Sequence, residues 1–154
     1  MNRAIAPRAF LAKKLTTLGP PGFSSRNCGV ITRGRTPENL TLASLSGEAL
    51  QDEGLLLVDI RTPGEWQQTG VIEGARLVTY TDAESFLAEV RPHLQAGQSL
   101  ALICRSGNRT SRATRQIAGL VDAPVIDVAG GMNRVLAEGY APVAPTRAMG
   151  CTVC

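Results

Sequence analysis

The 154-residue chain has a single histidine, few aromatic residues (one Trp, two Tyr, three Phe) and no acidic residue before Glu38. No apolar run is long enough to cross a bilayer, and none resembles the centre of a secretory signal. A soluble, cytoplasmic protein with no membrane partner is therefore expected. His93 stands beside Pro92 at the end of an amphipathic stretch, where a surface role suits it. Any reactive thiol must then be activated by backbone dipoles and arginines rather than by a Cys/His dyad. Four cysteines (Cys28, Cys104, Cys151, Cys154) at uneven spacing do not form the framework of a disulfide-stapled fold. Thiols with individual roles in a reducing compartment are expected instead, with no cofactor and no metal.

The net charge of +3 hides an asymmetry, because residues 1 to 37 contain seven Lys or Arg and no Asp or Glu. The remainder carries nine basic and thirteen acidic residues, so the folded part offers no basic surface for nucleic acid. Residues 1–38, with their GPPG run and scattered serines, are read as a basic, disordered extension carrying Cys28, a thiol with no assigned role. The same composition suits a mitochondrial transit segment, which is the alternative to a cytoplasmic location. At 44% apolar, the chain has material for one compact domain, expected over residues 40–145 and followed by a tail, 146–154, that ends in CTVC.

Within the domain, Leu55 to Val58, Leu100 to Ile103 and Val125 to Val128 are aliphatic runs of the length expected for strands buried on both faces, and Ala75 to Val78 adds a fourth. Thr81 and Glu84 form a capping-box pattern opening a helix over Asp82 to His93, whose Phe86, Leu87, Val90 and Leu94 share one face. Further helices are expected over Thr110 to Leu120 and Met132 to Glu138, and short helical turns at Ser46 to Gln51 and Thr62 to Trp66. Strands alternating with helices imply right-handed crossovers and an α/β fold, a parallel sheet covered on both faces. In such sheets ligands collect at the carboxyl ends of the strands.

CRSGNR, residues 104 to 109, occupies such an end. A thiol placed between a strand and the following helix faces the helix's positive end and the N–H groups of a concave loop, and both favour the thiolate. Arg105 and Arg109 add positive charge, and Arg109 has the fork to hold an oxyanion in two hydrogen bonds. Gly107 lets the loop turn and keeps side chains out of the anion's space, Ser106 and Asn108 brace it, and Thr110 or Ser111 is the expected helix cap. Cys104 is therefore the candidate nucleophile, at the surface, with Arg105, Ser106, Gly107, Asn108 and Arg109 binding the substrate.

These residues resemble the rhodanese-homology family. VDIRTPGEW (58 to 66) is similar to its VDxRxxxE segment, GVIEGA (70 to 75) to GHIPGA, CRSGNR to the six-residue active loop, and GGMNRVLAEGYAPV (130 to 143) to its C-terminal signature. The resemblance implies a single five-stranded parallel sheet flanked by helices. It also implies a sulfurtransferase, in which Cys104 takes a sulfane sulfur from a donor such as thiosulfate, holds it as a persulfide and passes it to cyanide or a thiol. Asp59 and Arg61 become structural supports, and Glu65 and Trp66 scaffold. Val71 stands where the family often has histidine, and Arg134 and Leu136 lie where an aromatic is common.

Two other readings belong to different classes. Cysteine phosphatases and arsenate reductases place five residues between cysteine and arginine; counting from Cys104 by that rule reaches Thr110, one past Arg109, so this loop is sized for sulfur. The second is a non-enzymatic binding or sulfur-carrier module, although such domains commonly lose the cysteine kept here. The CTVC tail admits four roles: a loose end, a redox pair, half a zinc site, or a relay in which Cys151 or Cys154 receives sulfur from Cys104.

Overall fold

The computed structural model describes residues 37–154. The basic extension through residue 36, Cys28 included, lies outside the described residues, as do the expectations placed on it. Five strands, β1 (Leu40–Ala43), β2 (Leu55–Asp59), β3 (Arg76–Leu77), β4 (Ser99–Ile103) and β5 (Val125–Val128), form one all-parallel sheet in the order β1-β5-β4-β2-β3. Four helices surround it: α1 (Pro63–Thr69), α2 (Ala83–Val90), α3 (Asn108–Ile117) and α4 (Gly131–Ala137). None of the described helices is long and apolar enough to cross a membrane.

The three aliphatic runs are β2, β4 and β5, and β4 lies at the centre of the sheet with Leu100 to Ile103 fully buried. Their alternating side chains feed two cores. Val58, Leu100, Leu102 and Val125 pack under α2 and α3 through Phe86, Leu87, Val90, Ala113 and Ile117. On the opposite face Leu57, Ala101, Ile103 and Val128 meet Leu50, Ile72 and the α4 residues Met132 and Val135. Each fully buried aliphatic contributes about 1.5–3 kcal/mol.

Several boundaries differ from the sequence reading, each for a local reason. β1 is an edge strand with a half-exposed LTLA pattern, which lacks the continuous apolar run that marks its neighbours. The stretch from Ala75 to Val78 pairs over two residues only, at the other edge. Asp82, not Thr81, caps α2, its carboxylate accepting the Ser85 N–H at 2.9 Å, while Thr81 donates to Asp82 at 3.2 Å. The α-helix stops at Val90, and residues 91–93 continue as one 3-10 turn because Pro92 has no N–H to give. Neither Thr110 nor Ser111 caps α3; the helix begins at Asn108 with Gly107 at the cap position, φ +95°. Thr62 does open a helix, and its capping box with Glu65 extends the expected turn into α1.

The chain runs from β2 to its neighbour β3 and then crosses to β4 on β2's other side, so the crevice at the strand ends opens between β2 and β4. Cys104 follows β4 there, Asp59 ends β2, and residues 60–65 follow it.

Candidate active site

The loop from Cys104 to Arg109 closes over the sulfur. Cys104 is only 1% exposed, not at the surface as expected, because its side chain continues the α2/α3 face of β4 and lies beneath the loop. Its Sγ accepts the Gly107 N–H at 3.1 Å. Thr110 is wholly buried one turn into α3; its hydroxyl lies 3.7 Å from Sγ and donates to the Gly107 carbonyl at 2.9 Å. Sulfur and backbone N–H thus meet at the start of a ten-residue helix, a setting that suits an anion bound in the loop.

The loop's shape is fixed from the other side by α4. The Met132 N–H donates to the Cys104 carbonyl at 2.8 Å and the Asn133 N–H to the Arg105 carbonyl at 2.9 Å. That approach requires Gly131, where an added Cβ would sit 2.4 Å from the Cys104 oxygen at φ +57°. Gly131→Ala is expected to lower stability by about 2–4 kcal/mol, combining a left-handed backbone penalty with an overlap that backbone atoms cannot relieve. Urea denaturation checks this, and reactivity of the Cys104 thiol towards a maleimide should rise as the loop lifts.

Arg109 is already engaged. Its two terminal nitrogens grip the Glu65 carboxylate at 2.8 and 2.6 Å, so the fork expected to take an oxyanion is filled by the capping-box residue of α1. Arg105 is exposed and lines a small cavity of about 110 Å³ together with Glu65, Asn133 and Leu136. The bond from Arg109 holds the Glu65 carboxyl down to about 2 against the opposing effect of burial, with the Thr62 N–H helping. The stabilisation from this pair is therefore complete above about pH 4.5 and is lost as the pH falls towards about 2. Glu65→Gln should flatten that acid limb: between about pH 5 and pH 2.5 its urea midpoint should fall less than that of the natural protein.

Beneath Glu65, Asp59 and Arg61 form a buried pair, 0% and 1% exposed. The Arg61 guanidinium reaches both Asp59 oxygens at 2.7 to 3.0 Å, the Thr69 hydroxyl at 2.6 Å and the Gly70 carbonyl at 2.8 Å, tying both ends of the β2–α1 segment together.

A family model described as the rhodanese-like domain matches residues 43–138, which takes in the sheet from the end of β1, the loop and α4. The chain belongs to the rhodanese-like domain family. Among solved structures, a rhodanese-related protein from Thermoplasma volcanium is 27% identical, with a TM-score of 0.52 over 66% of this chain and 98% of that one. A Rhodopseudomonas palustris protein of unknown function, described as a possible tyrosine phosphatase, shares the fold at 20% identity, with a TM-score of 0.54 over 66% of this chain and 85% of that one. No curated protein sequence matches the chain.

In this rhodanese-like domain the tail is anchored at Cys151, while residues 152–154 are exposed. Cys151 is 1% exposed among Trp66, Val71 and Leu77, and it forms a disulfide with Cys154, Cα atoms 5.5 Å apart. The sequence favours thiols with individual roles but leaves a redox pair open at CTVC, whose spacing brings these two within bonding reach. Gln67 of α1 donates to the Val153 carbonyl at 3.2 Å. Cys151 packs against Leu77 of β3, which β2 separates from β4. Val71 fills its family position as a buried apolar residue that also pairs with Val143. Arg134 uses its guanidinium to bind the carbonyls of Ala129 and Leu45 and the Glu138 carboxylate.

Three neighbours of the loop are not among the site residues expected from the sequence. Thr110 follows the loop, Gly131 looks like a helix start, and Asp127 interrupts an aliphatic strand. The last is 6% exposed, with Oδ1 lacking a hydrogen-bond partner, and burial pushes its carboxyl above the usual range while Thr110 and Arg115 oppose the rise. Of the three, only Asp127 carries a signal in the sequence, a charged residue inside the aliphatic run VIDV.

Proposed function

We propose that the domain is a sulfurtransferase in which Cys104 carries sulfane sulfur from a donor such as thiosulfate to cyanide or a thiol. The observation that supports it best is the buried Sγ held by the Gly107 N–H inside a six-residue loop pinned from behind by α4. The Cys104 thiolate attacks the outer sulfur of thiosulfate, the S–S bond breaks, and sulfite leaves with the bonding electrons. Arg105, the exposed loop cation that is in no ion pair among the described residues, receives the sulfonate oxygens, while Glu65 keeps Arg109 as a wall of the loop. The acceptor then attacks the outer sulfur and Cys104 leaves as thiolate, giving thiocyanate from cyanide or a persulfide from a thiol. The partners are thus a small sulfur-containing anion and a nucleophilic acceptor. Parallel assays with thiosulfate plus cyanide and with p-nitrophenyl phosphate test the reading. Thiocyanate formation without phosphate release is expected; Cys104-dependent phosphate release without thiocyanate would overturn it.

A further inference from the structure

Beside the active loop, on the β1 side of α3, lies a cleft of about 470 Å³. Its walls are Ser106 to Asn108 of the loop, Arg115 of α3, Asp127 of β5 and Leu42 of β1, the last 69% exposed. Asp127 is the anomaly. A carboxyl that is 6% exposed, with Oδ1 sealed and unpartnered, is costly unless a donor reaches the group, and its exposed edge lines a cleft large enough to bring one. Among the described residues Arg115 forms no ion pair, leaving a guanidinium on the same cleft, near enough to act on Asp127 through space.

We infer that this cleft binds the sulfur acceptor as an amino-acid thiol, its ammonium on Asp127, its carboxylate on Arg115 and its sulfur towards the loop. The inference rests on the transferase reading of Cys104 and names the acceptor's chemical class. The sheet register supplies the length. Asp127 pairs with Leu102, and Cys104 lies two residues further along the adjacent strand, so the two Cα positions are about 8 Å apart. Gly107 borders both regions: its N–H touches Sγ, and its bare Cα lines the cleft with no side chain between. In the transfer, the acceptor thiolate attacks the outer sulfur of the Cys104 persulfide, the Cys104 S–S bond breaks, and Cys104 leaves as thiolate. The acceptor becomes the persulfide, the proton lost by its thiol passes to solvent, and no external oxidant or reductant is consumed.

The test uses S-methylcysteine, a thioether that cannot accept sulfur, titrated into the full chain and followed by amide chemical shifts. Saturable shifts at Asp127, Arg115 and the loop are expected. N-acetyl-S-methylcysteine, lacking the ammonium, and S-methylcysteamine, lacking the carboxylate, should each bind about tenfold more weakly. Asp127→Asn should weaken S-methylcysteine about tenfold and leave 3-(methylthio)propionate, which has no ammonium, unchanged. If that variant does not fold, the ligand series in the natural protein decides. Equal binding of the acetylated ligand, shifts away from the cleft, or no saturable shift would overturn the inference. Because no sulfur moves in this titration, a Cys104 that takes no sulfur from thiosulfate would sink the transferase reading separately.

Discussion

Cys104→Ser is expected to abolish sulfur transfer, by on the order of 10³-fold or more, and to leave the domain folded. A serine hydroxyl fits beneath the loop and can still accept the Gly107 N–H, so the α3 start and the α4 contacts have no reason to move. What is lost is a polarisable nucleophile able to form and break S–S bonds near neutral pH. Thiocyanate formation with thiosulfate and cyanide measures the loss, and urea denaturation measures the fold. Appreciable transfer by a folded serine variant would mean that another group carries the sulfur.

Arg61→Ala should lower the unfolding free energy by about 3–5 kcal/mol, because it strands the Asp59 carboxylate in a site with 0% exposure. Against a domain stability of about 5–15 kcal/mol, that loss brings the protein close to unfolding under ordinary conditions. The same change releases the Thr69 hydroxyl and the Gly70 carbonyl at the end of α1, the helix whose Glu65 grips Arg109. Activity should therefore fall even in the fraction that stays folded. Replacing both partners, Asp59→Leu with Arg61→Met, should be milder than Arg61→Ala, since no charge is then left buried alone. Urea titrations of the two proteins distinguish a stranded charge from simple loss of packing, which would make the double change the worse one.

How far the sequence reached follows from how each contact is made. LLLV, LALI and VIDV announce a parallel sheet because strands buried on both faces need continuous aliphatic runs, whereas the edge strand β1 escapes for want of one. The active loop was legible because all six of its residues are contiguous. Its settings were not. Glu65 meets Arg109 across 44 positions, and Gly131 meets the Cys104 carbonyl only because β4 and β5 are adjacent, so local patterns hold no trace of either. The burial of Cys104 was missed for a related reason: the end of a strand is exposed in isolation and covered only once loop and helix fold back over it. Cys151 likewise becomes a core residue only when the tail lies against Trp66.

Mass spectrometry of the protein after incubation with thiosulfate, with and without a cyanide chase, tests the persulfide most directly. A gain of about 32 Da on the peptide containing Cys104, removed by cyanide and absent in Cys104→Ser, is the predicted result. An intact, accessible Cys104 thiol that gains no mass would contradict it.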